Sequence, residues 1–174
     1  MRTRPAESGA GGDDLTEVVV KVADWAAERG DGVLITLGLG SCVAIMLHDR
    51  GARAGAMAHV LLPSRSLVHD ATNPAKFPDT AVPLLVERLR VLGAERQRLV
   101  AKLAGGASMF SQLLAPGAMQ MGERNVVAAR DALRAAAIPI VGEAVGGERG
   151  RTVRFHVADG RVEIRSVGLD VTII

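Results

Sequence analysis

The chain has 174 residues and a net charge of only +2, and it is 48% hydrophobic but 2% aromatic, with no tyrosine and one tryptophan. That length buries a real core without disulfides or metals and reads as one domain. Scattered arginines without a basic block, and so few rings for base stacking, argue against nucleic-acid binding.

Residues 1–14 are rich in Gly, Ala, Pro and charge, have no apolar stretch of the signal-peptide kind, and read as a disordered tail ahead of a domain over 15–174. Leu15–Val22 is β-branched and reads as a strand, whereas Asp24–Gly30 reads as a helical turn or a loop. Val33–Leu37 is a second strand, ending in Gly38-Leu39-Gly40-Ser41. Cys42–His48 and Gly55–Leu62 flank the turn Asp49–Arg53 and predict a hairpin, with Cys42 and His59 on adjacent strands or at one sheet edge. Ser64–Pro78 is a polar loop. Val82, Leu85, Val86, Leu89 and Leu92 give Asp79–Gly93 helical spacing, with Asp79 or Thr80 as cap.

Leu99–Ala104 predicts a strand, Ser108–Met121 is irregular, Gly122–Ala137 predicts a helix, and Ile138–Val145 a further strand. Thr152–Val157 and Arg161–Val167 alternate around Ala158-Asp159-Gly160, a hairpin signal. Strands outnumber helices and short turns join most of them. The expectation is therefore an α+β fold with mostly antiparallel or mixed sheets and two main helices outside.

The chemistry concentrates at Thr36–Cys42, T-L-G-L-G-S-C, which holds the single cysteine. Residue type alone favours a buried structural cysteine. Against that, the preceding glycines permit a tight turn whose N–H groups can hold an oxyanion. His59 also stands ready to take the thiol proton and lower the thiol pKa. Of the four histidines, His48 abuts a turn, His69 lies in the polar loop, and His156 alternates with arginines. Only His59 is embedded in an apolar segment, where a satisfied core histidine is an equal reading. No C-x-x-C or H-x-x-x-H supports a metal site, and no dinucleotide fingerprint supports a cofactor, so neither is expected. The longest nearly apolar run, Val33–Leu47, falls short of the ~20 residues of a membrane helix, which with the lone cysteine predicts a cytoplasmic protein without membrane insertion.

Six segments occur in order: T-L-G-L-G-S-C-V-A-I (36–45), G-A-M-A-H-V-L-L-P (55–63), D-T-A-V (79–82), A-K-L-A-G-G-A-S-M-F (101–110), G-E-R-N-V (122–126) and G-G-E-R-G-R-T-V (146–153). Together they resemble the chemoreceptor glutamine deamidase family, CheD, over about residues 17–168. The resemblance implies an α/β sandwich and conversion of receptor glutamines to glutamates, with receptor methylesterase activity in some members. It implies Cys42 as nucleophile, His59 as general base and acid, and Thr36 as the residue that orients the histidine. It also implies chemoreceptor cytoplasmic domains as substrate and, in some members, a CheC-type phosphatase as partner. A non-catalytic or dual-role binding module that docks a CheC-type CheY-phosphate phosphatase or an adaptor protein is the alternative reading. The tail and the stretch 111–121 depart from the family pattern without touching the three site positions.

Overall fold

The computed structural model describes residues 16–108 and 119–174; the predicted tail and most of the irregular stretch lie outside them. Ten strands and two long helices run in the order β1 (Glu17–Val19), β2 (Trp25–Arg29), β3 (Val33–Leu39), β4 (Val43–Asp49), β5 (Ala54–Val60), α1 (Pro78–Val91), β6 (Val100–Gly105), α2 (Met121–Ala135), β7 (Ile140–Val145), β8 (Arg151–His156), β9 (Val162–Arg165) and β10 (Thr172–Ile173). They form two five-stranded sheets, β1-β3-β8-β9-β10 and β2-β5-β4-β6-β7. The β1–β3 and β6–β7 pairs are parallel and the others antiparallel. The expected α+β class holds, with mixed sheets.

The second sheet is the central layer. Val43, Ile45, Leu47, Ala56 and Ala58 turn to α1 and α2, packing on Leu85, Leu89, Val126 and Leu133. Ala44, Met46 and Met57 turn the other way, onto Leu34, Val153 and Phe155 of the first sheet. Every residue of β4 and β5 is therefore buried. A strand covered on both faces reads as a continuous apolar run rather than an alternation, which is how these two read in the sequence. Both helices lie on one side of this sheet.

The segment predicted as helical turn or loop is strand β2, paired residue for residue with β5 from Trp25↔Ala58 to Arg29↔Ala54. W-A-A-E-R has no β-branched residue to announce a strand; the edge of β5 supplies its hydrogen bonds instead. Trp25 is held from outside by the Arg88 guanidinium of α1, 4.9 Å from its ring centre. Helix α1 begins one residue before the predicted start. Pro78 occupies its first turn, where its missing N–H costs nothing, and Phe77 rather than Asp79 or Thr80 stands at the cap. Strand β10 lies beyond the predicted elements, in the β-branched run Val171–Ile174; two of its residues pair with β9 at Thr172↔Ile164 and Ile173↔Glu163.

Strand β3 carries a bulge at the start of the glycine turn. Thr36 pairs with Val153 but Leu39 with Arg151, so one extra residue sits on β3. Gly38 takes the positive φ of +64° that the bulge requires. Thr36, on the regular side of the bulge, thereby keeps the inward face it shares with Leu34.

Candidate active site

Thr36, Cys42 and His59 converge at one end of the seam between the two sheets. Ala44 pairs with His59 across β4 and β5. Side chains two apart on an extended chain share a face, so Cys42, Ala44 and His59 all look toward the first sheet, and Cys42 packs against the inter-sheet cluster. Thr36 reaches across from that sheet to meet the imidazole: its Oγ1 lies 2.7 Å from His59 Nδ1.

The hydroxyl decides the histidine tautomer. Thr36 Oγ1 donates its one proton to the Val20 carbonyl at 2.8 Å. The oxygen is then an acceptor toward His59, so Nδ1 carries the hydrogen and Nε2 keeps its lone pair. Nε2 is buried and has no hydrogen-bond partner. An orphaned buried acceptor of this kind costs about 1–3 kcal/mol, a cost that structural histidines avoid.

The other histidines are accounted for differently. His48, at the far end of β4, gives Nε2–H to the Val157 carbonyl at 2.9 Å and stands edge-on to Phe155. His156 pairs with Glu163 at 3.0 Å. His69 is exposed on its loop. Among the described residues, His59 is the one with an unused buried nitrogen.

Burial pushes the Cys42 thiol above its ordinary pKa, and only its own backbone N–H works in the opposite direction. Burial also holds His59 down to about 4. Here the structure corrects the expectation that His59 lowers the thiol pKa. No hydrogen bond joins His59 Nε2 to the sulfur, and among the described residues no charged side chain offsets the effect of burial on either group. The resting site holds a neutral thiol beside a neutral imidazole with a free lone pair.

Backbone bonds and one helix fix the cysteine turn. Ala107 N–H donates to Gly40 O at 2.8 Å and Gly106 N–H to Cys42 O at 2.7 Å. From α2, Asn125 Nδ2 donates to Ser41 O at 2.9 Å and Leu61 O at 3.1 Å. Sequence reasoning passed over Asn125. The available signal was its place among Gly122, Val126, Ala129 and Leu133, the buried stripe of α2. A wholly buried amide on such a stripe needs a specific partner. Among the described residues no three His, Cys, Asp or Glu side chains are grouped to hold a metal ion, and no helix is long and apolar enough to cross a membrane.

Comparison with known proteins shows the family. A family model described as CheD chemotactic sensory transduction matches residues 61–166. The matched span begins just after His59 and so leaves the three site residues outside. Whole-chain relatives cover them. A protein of Caldanaerobacter subterraneus subsp. tengcongensis is 42% identical over 89% of this chain and 96% of its own. One of Desulforamulus reducens is 41% identical over 91% and 95%, and one of Clostridium botulinum 40% over 90% and 96%. Each bears the name "Probable chemoreceptor glutamine deamidase CheD". Among solved structures, protein NMB0706 of Neisseria meningitidis, of family DUF152, superposes with a TM-score of 0.47 at 10% identity, over 77% of this chain and 65% of that one. With relatives of this identity along nearly their whole length, the chain belongs to the CheD family.

Proposed function

We propose that this protein hydrolyses the side-chain carboxamide of chemoreceptor glutamines to carboxylate and ammonia, with Cys42 as nucleophile, His59 as base and acid, and Thr36 as the group that orients the imidazole. The observation that carries the reading is the unpartnered, buried Nε2 of His59, set in its basic tautomer by Thr36 and facing the same seam as Cys42. The relatives' shared name supplies the substrate class.

The resting state is uncharged, so the thiol proton moves to Nε2 as sulfur attacks the carboxamide carbon, rather than beforehand. The histidine is neutral at pH 7 because burial holds its pKa at about 4, so the Nε2 lone pair is available to accept the proton. Once protonated it becomes the acid that releases ammonia, leaving a thioester on Cys42. It then takes a proton from the water that cleaves the thioester. Thr36 brings no charge, so it fixes orientation and tautomer without paying toward the imidazolium as a carboxylate would. A receptor glutamyl methyl ester passes through the same thioester with methanol as leaving group. Ser41 and Cys42 are half-buried and Gly38 is exposed, so a glutamine displayed on a receptor helix has a short path to the sulfur.

The test is mass spectrometry of a receptor cytoplasmic fragment incubated with the protein, read together with ammonia release. The expected result is glutamine-to-glutamate conversion by the wild type and none by a folded Cys42→Ala variant. Equal conversion by that variant removes Cys42 from the mechanism, and an unmodified fragment with the wild type removes the activity.

A further inference from the structure

Among the described residues, two buried side-chain polar atoms lack a hydrogen-bond partner, His59 Nε2 and Asn125 Oδ1. The proposed mechanism uses the first and leaves Asn125 unexplained. Its carboxamide sits where β4 and β5 part. Val43↔Val60 is the outermost pair of their ladder. One step further out the chains separate, and Asn125 Nδ2 fills the fork, donating to Ser41 O at 2.9 Å on one chain and Leu61 O at 3.1 Å on the other.

That contact sets the direction of the next N–H. In a trans peptide the carbonyl and the amide hydrogen point opposite ways. With the Ser41 carbonyl drawn to Asn125, the Cys42 N–H faces away from it, toward the β6 side. The pairing Val43↔Gly105 sets Gly106 opposite Cys42, and Gly106 N–H does donate to Cys42 O. The return bond is not made. Gly106 has a φ of +64°, and its carbonyl is turned into α2, 2.5 Å from where a Cβ on Gly122 would stand. Among the described residues the Cys42 N–H therefore has no acceptor beyond its own residue, and it lies beside the Cys42 sulfur.

We propose that Asn125 is a positioning residue of the reaction: by gripping the Ser41 carbonyl it fixes the Ser41–Cys42 peptide so that the Cys42 N–H stabilises the oxyanion formed when the sulfur attacks. The inference rests on Cys42 being the nucleophile. Donation to the Ser41 oxygen also polarises that peptide and strengthens its N–H as a donor.

Two small reagents isolate the effect without any receptor. With p-nitrophenyl acetate, the Cys42 thiol passes its proton to His59 Nε2 as the sulfur bonds to the acetyl carbon, the carbonyl pair moves onto oxygen, and its return expels p-nitrophenolate to leave a thioester. With iodoacetamide, sulfur displaces iodide at a saturated carbon and no oxyanion forms. In Asn125→Ala, acylation of Cys42 is expected to slow on the order of 100-fold, the effect of losing an oxyanion donor, while alkylation, which forms no oxyanion, slows far less, by only the few-fold that a thiol freed from its own N–H would show. Asn125→Asp preserves the shape of the side chain, removes the amide donors, and repeats the test if the alanine variant does not fold. Parallel loss of both rates, or unchanged acylation, overturns the proposal. In the wild type, the Cys42 amide proton is expected to move downfield in the NMR spectrum when an aldehyde adds to the thiol. A Cys42 amide that stays in place overturns the proposal whatever the variants do. A wild-type chain that forms no acyl adduct on Cys42 overturns the nucleophile assignment as well, so the two failures are distinguishable.

Discussion

Thr36 shows how much one hydroxyl decides. It joins strands of different sheets, accepting from His59 Nδ1 and donating to the Val20 carbonyl. Thr36→Val keeps the size of the side chain and deletes both bonds. The imidazole then loses its fixed tautomer, and kcat is expected to fall about tenfold, the equivalent of 1–1.5 kcal/mol of lost orientation. Thr36→Ser retains the hydroxyl and should restore most of kcat, with KM for a receptor fragment little changed in either variant. A Thr36→Ser enzyme as slow as Thr36→Val would show that the methyl group, not the hydroxyl, matters. Thr36 itself was not legible from its type or position, since a β-branched residue on a strand is ordinary. Only the resemblance pointed to it, and only the cross-sheet contact gave it a physical task.

At the scale of elements, the site depends on two glycine turns, one on each sheet, and they differ in kind. Gly38 and Gly106 share a φ of +64°, but a Cβ on Gly38 meets nothing within 4 Å, whereas on Gly106 it meets Val126 Cγ2 at 2.3 Å and Gly122 O at 2.9 Å. Gly38→Ala should therefore cost only the left-handed backbone penalty, about 1–2 kcal/mol. Gly106→Ala adds a clash with α2 and should cost roughly 3 kcal/mol or more, since overpacking adds about 1–3 kcal/mol on top. Urea midpoints of the two variants give the comparison directly; equal losses would mean that α2 yields at its first turn. Strand β2 is an element without a local strand signal. After Trp25 its residues are helix formers, and a partner strand some thirty residues away imposes the extended form.

For the whole molecule, acid should act in two stages. His59 has its pKa held at about 4 against an ordinary 6.5. Between those values the unfolded chain takes up a proton that the fold refuses, so stability falls as the pH drops from 6.5 toward 4, by about 3 kcal/mol, and then levels off. His48, also held down by burial, adds with the same sign. Asp49 is the opposite case. Burial pushes its carboxyl up, but the Arg98 guanidinium and the Glu95 and Ala52 amides outweigh this and hold it at about 2. Its contribution, about 2 kcal/mol, is complete above the ordinary value of 3.8 and is lost as the pH falls through 2. Urea unfolding between pH 7 and 2 should show both stages, and His59→Gln should flatten the first while leaving the second. A first stage of unchanged slope in that variant would assign it to other groups.

By itself the sequence determined the strands with strong local signals, β3, β4, β5 and the β8–β9 hairpin, as well as both helices. It also determined the family, because six separate motifs in one order are specific where any single one is not. It put Cys42 and His59 on the two arms of one hairpin, because a hairpin depends on its turn and on nothing distant; the register itself pairs His59 with Ala44. What only the tertiary structure decided lies across long separations: Thr36 to His59 over 23 residues and Asn125 to Ser41 over 84. Periodicity and turn chemistry report on neighbours along the chain. Which nitrogen of His59 is left bare, and which way the Cys42 N–H points, depend on hydrogen bonds between elements that meet only when two sheets and a helix have packed.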